Sequence, residues 1–229
     1  MRLAIKNTLA PQTTHFTPTL LANLEHWYKY NTNVLESDSS AADDEDDVTQ
    51  WSDSKGTNHL VSEEDNPVWV GSDNSIFFAD ENKDMLTTSE ITLDGDFAVY
   101  IRIKFGTTIN SNDVLTNKDG VNVQFFRVQN SGAFKAKMGG GALDWTIGAT
   151  IGTSAYHNIG IERTGTAVRT YLDGTESSTT NVTSSGNMLI NRLKGGLNAN
   201  VTQLIIVKGA SLTTFERADL NTYLNNYSS

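Results

Sequence analysis

The residues of this chain that could do chemistry are its carboxylates, four histidines and one tryptophan beside an aspartate. Retaining hydrolysis of a glycosidic bond needs two carboxylates roughly 5–5.5 Å apart. Side chains at i and i+2 or i+4 share one face of a strand, so a Glu-x-Asp-x-Glu run would supply such a pair. No such run occurs, and Glu63-Glu64-Asp65 and Asp94-Gly95-Asp96 have the wrong spacing or the character of turns. His15, His26, His59 and His157 have no histidine three or four residues away, which removes a helical metal cluster. No serine is flanked as Gly-x-Ser-x-Gly, so a nucleophile elbow is absent. With no cysteine there is no disulfide, thiolate zinc site or thiol nucleophile.

Two segments carry binding chemistry instead. In the acidic run Asp43-Asp44-Glu45-Asp46-Asp47, the residues Asp43, Asp44, Asp46 and Asp47 are candidate oxygen ligands for calcium. The run lacks Asp-x-Asp-x-Asp-Gly spacing, and the alternative is a solvated charged loop. Trp145 follows Asp144 just after a triple glycine. An exposed indole stacks on a sugar face while the aspartate fixes hydroxyls; the alternative is a Trp145 that fills the core.

The elements that must position these residues are mostly strands. Charged residues make up only 19% of the 229 residues and apolar ones 38%. Much of the remainder is Ser, Thr, Asn and Gly, a mixture suited to short strands and many turns. Over 96–105, Phe97, Val99, Ile101, Ile103 and Phe105 alternate with Ala98, Tyr100, Arg102 and Lys104, which predicts a strand with one buried and one wetter face. Further strands are expected over 121–129, 133–138, 143–148, 157–163, 167–172, 188–193 and 201–208. Asn130-Ser131-Gly132 and Asp173-Gly174 mark hairpins. Phe125-Phe126 must then send one ring to each face. Thr17-Pro18 reads as the start of one or two helical turns. Near the end, Thr213 and Glu216 have capping-box spacing, and Leu220, Tyr223, Leu224 and Tyr227 share one helical face. Many strands followed by one helix predict an all-β sandwich or barrel rather than βαβ units.

The net charge of −10, with no basic cluster to offset it, argues against nucleic acid and anionic membrane as partners. No apolar run approaches the roughly 20 residues of a membrane span, and the opening residues lack the apolar centre of a secretory signal. Residues 1–16 read as an arm: Leu3 and Ile5 form a narrow apolar stripe, and Arg2 and Lys6 give it positive charge against an acidic body. Such an arm could add a strand to a partner's sheet edge.

Several stretches, in order, resemble laminin G-like domains of the concanavalin A-like superfamily. They are Trp51-Ser52-Asp53-Ser54-Lys55-Gly56, Asn74-Ser75-Ile76-Phe77-Phe78, and the alternating strand from Asp96 to Lys104. The most specific is Tyr156-His157-Asn158-Ile159-Gly160-Ile161-Glu162-Arg163 with Val168-Arg169-Thr170-Tyr171-Leu172-Asp173-Gly174, and Leu212 to Leu224 closes the series. The resemblance covers roughly residues 20–227; Tyr156 stands where the family usually has Trp, and the acidic stretch at 36–47 is unusual. It implies a two-sheet antiparallel jelly-roll sandwich with a C-terminal helix over residues 17–229, behind the arm at 1–16. Relatives of this fold include glycosidases, but without the paired carboxylates the expectation is a non-catalytic protein with a lectin-like domain. The expectation is a bacteriophage virion surface protein, a capsid decoration or tail- or fibre-associated component made in the host cytoplasm. Its partners would be other virion proteins or further copies of itself, and a cell-surface glycan. A free carbohydrate-binding lectin is the alternative, and a glycosidase comes third because the paired carboxylates are missing.

Overall fold

The computed structural model describes residues 15–29, 31–79, 82–118, 124–137, 145–178, 182–183 and 186–226. Among them, two antiparallel sheets pack face to face as a sandwich. The first sheet runs in the order β15 (Thr175–Glu176), β14 (Ala167–Leu172), β13 (Tyr156–Thr164), β8 (Phe97–Phe105), β18 (Ala199–Lys208), β6 (Ser75–Phe78) and β5 (Val68–Val70). Within it, β1 (Leu24–Lys29) pairs with the later part of β18, and β16 (Val182–Thr183) pairs with β14. The second sheet runs β12 (Trp145–Thr150), β11 (Ala133–Lys137), β10 (Gln124–Val128), β9 (Asn112–Thr116), β17 (Met188–Leu193), β7 (Met85–Leu93), β4 (Leu60–Ser62), β3 (Gln50–Trp51) and β2 (Val34–Leu35). One α-helix, α1 (Thr214–Asn226), follows β18. The predicted sandwich with a C-terminal helix is the observed fold. No helix among the described residues is long and apolar enough to cross a membrane.

The predicted central strand forms as β8. Phe97, Val99, Ile101, Ile103 and Phe105 join Ile159 and Ile161 of β13 and Leu204 and Ile206 of β18 in the core between the sheets. The other face of β8 is not the wetter face that alternation predicts. Ala98, Tyr100 and Arg102 are buried as well. Helix α1 lies over them: Leu220, Tyr223 and Leu224 pack with Leu21, Leu24, Trp27, Ala98, Tyr100, Ile205 and Val207 in a second apolar cluster. Period-two alternation reports which residues share a face; it cannot report that a later helix will cover the second face.

Several polar groups at the seam between α1 and the sheet bond to one another. Arg102 Nη1 donates to Asn158 Oδ1 at 2.7 Å and to Asn225 Oδ1 at 3.0 Å. Asn158 Nδ2 donates to Asn221 Oδ1 at 2.6 Å. The helix begins where the capping box predicts. Thr213 N donates to Glu216 Oε2 at 2.8 Å, and Glu216 N donates to Thr213 Oγ1 at 3.2 Å.

Alternation puts Tyr100 on α1's side of the sheet, and Gly160, its neighbour on β13, leaves room for the ring. A Cβ on Gly160 would lie 2.4 Å from the Tyr100 ring. The β14–β15 hairpin turns at Asp173-Gly174, with φ of 50° and 82°. That is the two-residue turn the sequence predicts, and Gly174 supplies the left-handed conformation without strain. Asp173 adds to it by accepting Asn158 N at 2.9 Å and pairing with His157 Nδ1 at 2.8 Å.

Two further expectations need correction. Phe125 and Phe126 do not divide between faces; both are fully buried. The register of β10 against β9 shifts on both sides of Phe126, and such a bulge turns consecutive side chains toward one side. After Thr17 there is a single 3₁₀ turn, Pro18–Leu20, with no side-chain cap, rather than one or two α-helical turns. Residues 1–14 of the expected arm at 1–16 lie outside the described residues. Phe16 packs edge-on against Tyr223, ring centroids 6.3 Å apart.

Candidate functional site

One register row crosses four neighbouring strands of the second sheet. Ser62 of β4 lies opposite Met85 of β7, Met85 opposite Leu193 of β17, and Leu193 opposite Leu115 of β9. Antiparallel pairing brings chain segments far apart in sequence to the same end of the sheet. Glu63 and Glu64 leave β4 there, Asn82 and Asp84 lead into β7, and Arg192 and Lys194 flank Leu193. Lys118 follows β9 and is anchored by its backbone N–H, which donates to Asn191 Oδ1 at 2.7 Å. Together these residues line a cavity of about 300 Å³.

Its charges are cross-linked. Glu63 Oε1 pairs with Lys118 Nζ, and Oε2 lies 3.6 Å from Arg192 Nη2. Arg192 Nε lies 3.3 Å from Asp84 Oδ2. Asp84 Oδ1 accepts Gly195 N at 2.6 Å and sits 4.0 Å from Lys194 Nζ. Glu63, Glu64 and Asp84 therefore balance Lys118, Arg192 and Lys194, in a protein whose net charge is −10. No aromatic ring lines the cavity. Such a surface offers positioned donors and acceptors to a neutral, hydroxyl-rich ligand.

The sequence-predicted site residues lie elsewhere. Trp145 begins β12, the edge strand of the second sheet, with its backbone paired to Lys137. Its side chain and Asp144 lie outside the described residues, as do the arm residues Arg2, Leu3, Ile5 and Lys6. The acidic run is a turn docked on β5. Glu45 N donates to Trp69 O at 2.9 Å, and Trp69 N donates to Asp46 O at 2.8 Å. Asp44 Oδ1 accepts Gly71 N at 2.6 Å and Asp46 Oδ2 accepts Asp43 N at 2.7 Å, so two of the four proposed calcium ligands hold backbone groups. Among the described residues, no three His, Cys, Asp or Glu side chains converge to hold a metal ion.

Two histidines separated in sequence do meet at one residue, His26 at the Asp53 side chain and His59 at its backbone N–H. His26 Nδ1 pairs with Asp53 Oδ2 at 2.8 Å, and Asp53 N donates to His59 Nδ1 at 3.1 Å. Asp53 Oδ1 accepts the backbone N–H of Trp27 at 3.0 Å and of Lys55 at 2.9 Å. Burial raises the pKa of Asp53, but the hydrogen bonds from His26, Trp27 and Lys55 outweigh it and hold the carboxyl below the usual range. Both Asp53 oxygens are occupied, so the carboxylate clamps the loop after β3 onto β1.

No protein-family model matches the sequence, and no curated protein matches it. Solved structures match by shape. Trypanosoma rangeli sialidase superposes with a TM-score of 0.61 at 10% identity, over 90% of this chain and 33% of that one. Domain 4 of a GH43 extracellular arabinanase from Geobacillus stearothermophilus, in complex with arabinotriose, gives 0.58 at 16% identity, over 87% of this chain and 98% of that one. The botulinum neurotoxin type G receptor binding domain gives 0.52 at 14% identity, over 88% and 51%. This chain thus spans about a third of the sialidase and nearly all of the arabinanase domain. At these identities the likeness is one of fold: a β-sandwich, present within an enzyme chain, in a domain of another enzyme and in a receptor-binding domain.

Proposed function

We propose that this chain is a non-catalytic carbohydrate-recognition module whose polar cavity, between Glu63, Asp84, Lys118 and Arg192, takes a sugar. The observation that carries the reading is the charge-balanced cavity itself, with its donors and acceptors held in place before any ligand arrives. Preorganised polar groups lose little freedom on binding. Without an aromatic platform, affinity for a single sugar residue is expected to be weak, about millimolar. The arabinotriose bound to the arabinanase domain of similar shape supports a sugar-binding sandwich in general terms.

The glycosidase reading has one feature in its favour, the approach of Glu63 and Asp84 to a single guanidinium. It has a stronger one against it. A catalytic acid is kept protonated by apolar or like-charged surroundings, and both of these carboxylates face cations. A bacteriophage particle as the place of work belongs to the same proposal, with residues 1–16 as the attachment arm and virion proteins or further copies as partners; its support is the sequence resemblance.

The test is titration of a panel of neutral mono- and oligosaccharides, followed by NMR, against the wild type and Arg192→Ala. Binding that Arg192→Ala abolishes is the expected result. Binding unchanged in that variant, or none from the whole panel, rejects the cavity. Release of reducing sugar that Glu63→Gln or Asp84→Asn eliminates rejects the non-catalytic reading.

A further inference from the structure

A second cavity, of about 140 Å³, lies between β2 and β5 and differs in character from the first. Its apolar lining is Val34, Ala41, Ala42 and Trp69; its polar lining is Asn31 and Asn33. The walls are held by backbone hydrogen bonds. Ala42 N donates to Val34 O at 2.9 Å, and both backbone groups of Trp69 bond to the acidic turn. Asn33 has φ of 51°, a conformation asparagine adopts readily, and its carbonyl accepts Ser52 N at 3.0 Å.

We infer that this cavity is an acetamido pocket, taking the N-acetyl group of an amino sugar. The inference rests on the reading of the chain as a glycan-binding module. The match is chemical. An acetamido group has one methyl, one carbonyl and one N–H. The methyl finds the small apolar surface of Val34, Ala41, Ala42 and Trp69. The carboxamides of Asn31 and Asn33 each carry a donor and an acceptor, enough to serve both the carbonyl and the N–H. At about 140 Å³ the cavity holds a substituent and does not enclose a whole ligand, for which pockets run to roughly 300–1,000 Å³. Charge disfavours carboxylate, sulfate and phosphate groups, because no cation lines the cavity and the exposed Asp43 and Asp44 follow Ala42 directly. A sugar hydroxymethyl would fit by size but has no methyl for the apolar walls.

The test compares N-acetylglucosamine with glucose, and N-acetylgalactosamine with galactose, by titration of the full chain with the Trp69 indole resonance as a local probe. The acetylated sugars are expected to bind about tenfold more tightly, the worth of one or two added group contacts, and to shift the Trp69 resonance. Two variants remove the pocket differently. Ala42→Leu fills it. Asn33→Gly deletes a carboxamide and keeps the positive φ accessible, so it carries the test if Ala42→Leu fails to fold. Both should erase the preference for acetylated sugars while leaving binding of glucose or galactose, sensitive to Arg192→Ala, as it was. Equal affinity for acetylated and plain sugars, or a preference that survives Asn33→Gly, overturns the acetamido pocket and leaves the carbohydrate reading standing. Absence of binding by every sugar overturns both.

Discussion

Arg217 on α1 grips Glu162 on β13 with two parallel hydrogen bonds, Nε to Oε1 and Nη2 to Oε2, each 3.0 Å long. Tyr100 Oη donates to the same carboxylate at 2.5 Å, and the guanidinium stacks 4.1 Å above the Tyr171 ring. Glu162 is only 3% exposed. The carboxylate therefore sits on the outer face of a sheet and is nevertheless sealed from water by the helix whose arginine neutralises it. Removing one partner from a buried ion pair leaves the other charge desolvated and alone. Arg217→Ala is expected to destabilise the protein by about 3–5 kcal/mol in urea unfolding, with loss of α1 docking. A change under about 1 kcal/mol, typical of surface pairs, would show that the helix does not depend on this contact.

Gly160 makes room for the Tyr100 ring that completes this cluster. In Gly160→Ala the added methyl must displace the ring and its bond to Glu162. The expected cost is about 1–3 kcal/mol, the range for overpacking a filled site. Gly160→Ala combined with Tyr100→Phe should cost less than the sum of the two single changes, because both act through one contact. Strict additivity would reject the coupling.

Asp53 predicts how stability depends on acid. Its carboxyl is held below the usual range in the folded protein, whereas in the unfolded chain it titrates near about 3.9. Its stabilising contribution is present above that value and is lost as pH falls through the lower folded value. Urea midpoints measured from about pH 6 down to about pH 2 should therefore fall less steeply in Asp53→Asn than in the wild type. Parallel curves for the two proteins would exclude Asp53 as a source of acid sensitivity.

The two candidate glycan locations can be separated directly. Trp145 sits on the edge strand β12, while the polar cavity lies where β9, β17, β7 and β4 meet. Arg192→Ala is expected to abolish sugar binding and Trp145→Ala to leave it unchanged. The reverse pattern would return the site to Trp145 and Asp144.

Near-neighbour chemistry was legible in the sequence, and long-range register was not. Asp173-Gly174 had to turn, Thr213 and Glu216 had to cap a helix, and Phe97 to Phe105 had to present one apolar face, because each depends on residues at most a few positions apart. Those features by themselves pointed to an all-β sandwich or barrel ending in a helix, and the resemblance of several stretches to laminin G-like domains chose the sandwich. The candidate site was not legible, although charged residues just beyond predicted strand ends are a signal that could have found it. Glu63 was set aside because the run Glu63-Glu64-Asp65 has the wrong spacing or the character of a turn; its partner Asp84 stands just before the adjacent strand β7, and both meet Arg192 from a third strand. Only the tertiary structure decided that meeting, as it decided that Tyr100, Arg102 and Glu162 are buried beneath α1. Strand alternation states which side a residue faces. What stands opposite it is set by how distant strands align and what packs over them, and that is a property of the whole chain.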